Sequence, residues 1–220
     1  MLKSVPSLST RLASNEVLAT LSSSLQQYQK DEAVILGVFS VLVTILSLET
    51  HSILSVEIQS LLERVSVVME TFMDNLQIQQ YSLSFLTLAL VEVAPQVDES
   101  IIKILVKLVL VTMTTHETRP DIIVWGCKAI SQMAPHKLIL DKAIAENMTD
   151  HLLAALSLHP TSSGVQTWGS YALYQLTCYN NSLLPLVKDS DCLEHREASL
   201  PHLNEEARTY VEQLAKLATL

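Results

Sequence analysis

At 220 residues and a formal charge of −9, the chain lacks the clustered Lys and Arg with which nucleic-acid binders displace counterions. Its hydrophobic share of 49% is mostly Leu, Val, Ile and Ala, with 5% aromatic residues and only 4 glycines. That composition suits helix-on-helix packing and argues against a turn-rich β-sandwich or a glycine-loop nucleotide site. The three cysteines, Cys127, Cys178 and Cys192, form no CxxC pair and read as reduced thiols of an intracellular protein, cytoplasmic rather than nuclear.

Residues 1–13 are Ser-rich and expected to be flexible; Met1-Leu2-Lys3-Ser4-Val5-Pro6 shows no apolar signal region. Ser14 or Asn15 caps a first helix with Val17, Leu18, Leu21, Leu25 and Tyr28 on one face. Ala33 to Leu48 carries no charge. Sixteen helical residues span roughly 24 Å, short of a ~30 Å hydrocarbon core, and the run has no basic or aromatic anchors at its ends. It is therefore read as a buried helix and not a membrane span.

Residues 55–73 predict an amphipathic helix through Ile58, Leu61, Leu62, Val65, Val68, Met69 and Phe72, broken at Asp74-Asn75. A helix around Phe85 runs on to Ala94, where Pro95 ends it. Residues 99–113 are apolar nearly all round except Lys103 and Lys107, which predicts a helix covered on most sides. After a loop to Pro120, the helix holding Trp125 stops at Ala134-Pro135. Residues 137–158 supply a short helix and a longer one. The turn-rich run His159 to Gly164 leads into the helix holding Trp168. Residues 192–200 and 204–220 read as a last, more polar helix pair that closes the array.

One pattern recurs along this order. Val165, Trp168, Ala172, Leu173 and Leu176 lie on one helical face, and Ile122, Trp125, Ala129, Ile130 and Met133 repeat that face earlier in the chain. A weaker copy runs through Phe85, Ala89, Leu90, Val93 and Ala94, with Phe85 set against Trp125. Another, Leu214, Leu217 and Ala218, follows Leu173 by a similar interval. A period of roughly 40 residues marks a helical repeat array. The approximate units are 14–54, 55–95, 96–135, 136–180 and 181–220, forming one domain over 14–220.

Val165-Gln166 followed by Ala172-Leu173-Tyr174-Gln175-Leu176-Thr177 resembles the third helix of armadillo-type (ARM/HEAT-like) repeats, and Ile122 with Ala129-Ile130-Ser131-Gln132-Met133-Ala134 resembles it less fully. The resemblance covers residues 55–218 and implies an all-α, right-handed α-solenoid of four to five repeats. It further implies a groove lined by two ladder rows. The first row is Leu88, Lys128, Tyr171 and Glu212; the second is Glu92, Gln132, Gln175 and Lys216. Import receptors of this family carry Trp in the first row and Asn in the second, and neither occurs in those rows here.

Trp125 and Trp168 are expected in the core, with Gly126 and Gly169 letting a neighbouring helix approach closely. The 7 histidines fall mostly near predicted helix ends, a capping or solvent position. The cluster Asp189, Asp191, Cys192, Glu194, His195 and His202 lacks a second paired ligand motif, so no metal is expected. No catalytic motif, phosphate loop or cofactor fingerprint is found. The sequence thus reads as a non-catalytic protein-interaction module or scaffold that holds an extended peptide or a partner helix in the concave groove. The alternative is a structural or oligomerisation unit that packs through its outer helix 99–113.

Overall fold

A computed structural model describes residues 15–47, 55–91, 93–188 and 190, and further on 205, 208–210, 212, 213 and 216. Expectations for residues 1–13, for Glu92, for the Cys192–His202 cluster and for the Leu214–Leu217 stripe lie outside them. The helices are α1 (Asn15–Gln27), α2 (Glu32–Ser47), α3 (Ser55–Thr71), α4 (Leu76–Ala89), α5 (Glu99–Thr115), α6 (Pro120–Met133), α7 (Lys142–Leu158), α8 (Ser163–Tyr179) and the short α9 (Leu184–Lys188). Single 3-10 turns follow α4, α6 and α8 at Ala94–Gln96, Lys137–Leu140 and Asn181–Leu183. No strand occurs among the described residues, and no described helix is long and apolar enough to cross a membrane.

Short polar residues start these helices. The side chain of Asn75 accepts from the Ile78 N–H, Asp141 accepts from Ala143 and Ile144, and Ser162 accepts from Val165. Pro120 opens α6, where its missing donor costs nothing. Pro95 behaves the same way: α4 already ends at Ala89, and Pro95 lies in the first turn of the 3-10 segment. It begins a turn and does not end the helix.

Helices pair as hairpins, α1 with α2, α3 with α4, α5 with α6 and α7 with α8. Contacts then run in order along the odd helices α1–α3–α5–α7 and along the even helices α2–α4–α6–α8. One continuous apolar cluster, from Leu18 to Val187, fills the space between them. α2 shows how the uncharged run is accommodated. Ile35, Val38, Phe39, Leu42 and Ile45 are buried, while Gly37, Ser40 and Thr44 face outward. Phe39 meets Phe85 of α4 edge-on, with ring centroids 6.3 Å apart.

Successive loops at each end of the hairpins are also tied together by side chains that bond a backbone carbonyl. Nε2 of His116 lies 3.0 Å from the Met73 oxygen, and Nε2 of His159 lies 2.7 Å from that of Glu117. At the opposite hairpin end, His136 Nε2 donates to Val97 at 3.0 Å and Asn180 Nδ2 donates to Ile139 at 2.7 Å. These bonds satisfy loop carbonyls that have no helical partner. The three histidines stand at helix ends as expected, and they join one unit to another. His136 caps as well, its Nδ1 accepting from the Leu138 N–H at 3.1 Å.

α5 is covered on most sides, as expected, but its open side is wider than the two lysines. Lys103, Ile104, Lys107 and Val111 form an exposed stripe, with Ile104 44% and Val111 39% accessible. Its hairpin partner α6 makes its main contact, with α3 and α7 as the flanking odd helices. The remaining gap between α5 and α7 is a cavity of about 510 Å³ floored by Val106, Leu110 and Ile144.

Candidate functional site

The even helices begin at Glu32, Leu76, Pro120 and Ser163, and this spacing sets their register. Tyr81, Trp125 and Trp168 fall at one place in successive helices. Phe85 aligns with Ala129 and Ala172, all three fully buried, and not with Trp125. The expected spacing from Phe85 to Trp125 is therefore one turn short. Residues four apart share a helical face, so a one-turn slip leaves the apolar pattern nearly intact. In the observed register one row is Ser84, Lys128 and Tyr171, and the next is Leu88, Gln132 and Gln175. Leu88 thus moves from the first row to the second.

The tryptophans also stand elsewhere than expected. On α6 the buried positions are Ile122, Ile123, Gly126, Cys127, Ala129, Ile130, Ser131 and Met133. Trp125 is half-buried and shares an edge of the helix with Lys128 and Gln132. Trp168 is half-buried on the matching edge of α8, with Tyr171 and Gln175. Both indoles rest on the core, yet their outer parts face solvent. A broad ring suits such an edge, where part of it is covered and part is wet.

These edges converge. The Lys128 ammonium lies 4.3 Å from the Trp125 ring centroid and 4.6 Å from that of Trp168, a favourable approach of a cation to two π faces. Trp168 meets Tyr171 at 5.8 Å with the rings 83° apart. Tyr171 in turn lies 4.6 Å from Tyr210, which belongs to the next helical stretch. Four rings and one ammonium thus form a continuous surface. Gln132 and Gln175 border it half-buried, and neither side-chain amide makes a hydrogen bond among the described residues. Glu212 and Lys216 are exposed helical residues farther along the chain.

Sequence periodicity brought Lys128, Gln132, Tyr171 and Gln175 onto this face but left the two tryptophans and Tyr210 out of it. The signal was present, because Trp125 and Trp168 each precede a ladder residue by three positions. The reactive side chains nearby are few. Cys178 is exposed, and its thiol raises the neighbouring Tyr174 phenol above the ordinary range, mainly through a side-chain hydrogen bond. Among the described residues no group of three or more His, Cys, Asp or Glu could hold a metal ion. What this surface offers chemically is stacking area, amide donors and acceptors, and an ammonium that rests on two of its rings.

Comparison of the chain with protein families, with curated proteins and with solved structures gave no match.

Proposed function

We propose that the chain is a non-catalytic protein-interaction module, a short α-solenoid of armadillo- or HEAT-like units whose even helices hold an extended segment of a partner protein. The observation that carries this reading is the pair Gln132 and Gln175. They stand at one place on successive helices, beside stacked rings, with amides that no described residue engages. An extended segment arrives with unpaired backbone N–H and C=O groups, and an amide side chain offers a partner to each. The rings of Trp168 and Tyr171 add flat contact area with little rotamer entropy to lose. The ordered contacts along odd and even helices support the solenoid part, since stacked units touch only their neighbours.

The test is selection from a random-peptide library, comparing the wild type with a Tyr171→Ala, Gln175→Ala double variant. Both side chains are half-buried at the edge, so helicity and melting should stay near wild type while enrichment of library ligands falls. Enrichment that the double variant retains would remove this face from consideration.

A second reading is favoured by the stripe on α5, where Ile104 and Val111 are exposed between and beyond two lysines. Here the chain packs against another copy or another protein through its odd helices. Sedimentation mass that rises with concentration, and becomes constant in Ile104→Glu with Val111→Glu, would support this reading over the first.

A further inference from the structure

We infer that the exposed stripe of α5 is covered by α3 of a second copy of this chain, in a two-fold dimer whose axis runs along the helices between α3 and α5. This inference rests on the second reading above, packing through the odd helices, and names the occupant.

Register is the first argument. α3 and α5 are neighbours of 17 residues each. Matched from their first residues, they repeat one pattern of exposure. Buried Ile58, Leu61, Leu62 and Val65 match buried Ile102, Leu105, Val106 and Val109. Exposed Glu63 and Val67 match exposed Lys107 and Val111. The bond from His116 to Met73, just past the ends of the two helices, agrees with this alignment. Val67 and Val111 are each 39% accessible, and Ile104 stands a little farther along α5. Single exposed aliphatic residues are ordinary, but three on two adjacent helices form a patch.

The patch is self-complementary. An axis parallel to the helices and midway between α3 and α5 exchanges the two, so α3 of one copy lies over α5 of the other at the same height. Each place on α3 then meets the same place on α5. Val67 meets Val111 of the second copy, Glu63 meets its Lys107, and symmetry makes each contact twice. Glu63 and Lys107 of one chain already stand side by side, so the four charges alternate in sign around the axis. Neither side chain makes an ion pair among the described residues. Lys103 meets Gln59, Ile104 meets Ser60 and Glu70 meets Thr114, so no like charges are opposed. Arg64 falls at the place of buried Leu108, off the exposed row.

Other axes fit less well. An axis along α5 itself sets Lys103 and Lys107 against their own copies. An axis between α5 and α7 brings Lys107 onto Asp150, but it sets Val111 on Ala154 and Ile104 on Asn147. No exposed branched aliphatic residue then meets another.

Sedimentation equilibrium of the intact chain over a concentration series tests the arrangement. The wild type should self-associate. Glu63→Lys alone and Lys107→Glu alone each oppose like charges twice, and each should weaken self-association at least about tenfold. An equimolar mixture of the two variants restores both contacts and should associate within about threefold of the wild type, as should the chain carrying both substitutions. All these side chains are exposed, so circular dichroism and melting should stay near wild type. A wild type that remains monomeric at millimolar concentration overturns the inference. Association that the single variants leave unchanged, or that mixing does not restore, removes this axis while the second reading stands. Association that survives Ile104→Glu with Val111→Glu removes both.

Discussion

Gln79 and Gln166 occupy the same place two units apart and make the same pair of hydrogen bonds. Gln79 Nε2 donates to the carbonyls of Met69 and Phe72 at 2.8 and 2.9 Å, and Gln166 Nε2 to those of Leu156 and His159 at 2.8 and 3.1 Å. Each glutamine, buried near the start of an even helix, satisfies the carbonyl end of the odd helix before it. The Gln79 oxygen also accepts from Thr112 Oγ1 on the following odd helix, at 2.9 Å. The unit between them carries Ile123 at this place, buried and without any amide.

Replacing Gln166 by Leu should destabilise the fold by about 1–3 kcal/mol, because two buried carbonyl bonds are lost while the apolar volume is kept. Gln175→Leu should stay within about 0.5 kcal/mol of wild type, since its amide has no described partner to lose. Urea unfolding of the two variants side by side checks the contrast. Equal midpoints would show that the Gln166 bonds contribute nothing.

Glycine-to-alanine substitutions should change sign along the chain. A Cβ at Gly169 would lie 2.8 Å from Leu156 Cδ2, so Leu156 must shift, at a cost of about 1–3 kcal/mol. The better helix propensity of Ala returns at most about 1 kcal/mol of this. At Gly37, exposed in the middle of α2, an added Cβ meets nothing within 4 Å. Gly37→Ala should therefore stabilise by about 0.5–1 kcal/mol while Gly169→Ala destabilises. Thermal melting of both variants measures the two signs.

Cys127 predicts an alkaline limit to stability. Burial pushes its thiol up from 9.0 to about 12, because a thiolate would lose its solvent there. A pKa raised by folding gives stability that is whole below the unfolded value and lost as pH climbs toward the folded one. The Cys127 contribution should thus be constant below pH 9.0 and shrink between pH 9.0 and about 12. Cys127→Ala should flatten that part of the melting profile. Alkylation of the native chain at neutral pH should mark exposed Cys178 and spare Cys127 until denaturant is added.

The helices were legible in the sequence because caps and apolar periodicity are local. The break read at Asp74-Asn75 and the loop read up to Pro120 fall where α4 and α6 begin, whereas the cap Asp141 was not singled out. Register was less legible, because a slip of one turn carries Phe85 from the place of Ala129 to that of Trp125 without disturbing the stripe. The edge positions of Trp125 and Trp168 were misread because ring size suggests a core, whereas width lets half of each ring remain outside. The links made by His116, His136, His159 and Asn180 could not be read at all. Their acceptors are backbone carbonyls roughly 40 residues back in the chain, and a carbonyl has no letter in the sequence.

The hairpin contacts also bear on how the chain acquires its structure. Each hairpin joins helices adjacent in sequence, and its main outside contacts are with the hairpin before or after it. Loop closure therefore spans short chain segments throughout, the condition under which folding is fast. A hairpin emerging from the ribosome finds its docking surface already made by the one before it, so order can advance in the direction of synthesis. Such growth leaves one unfinished apolar end at any moment, and the next unit covers it.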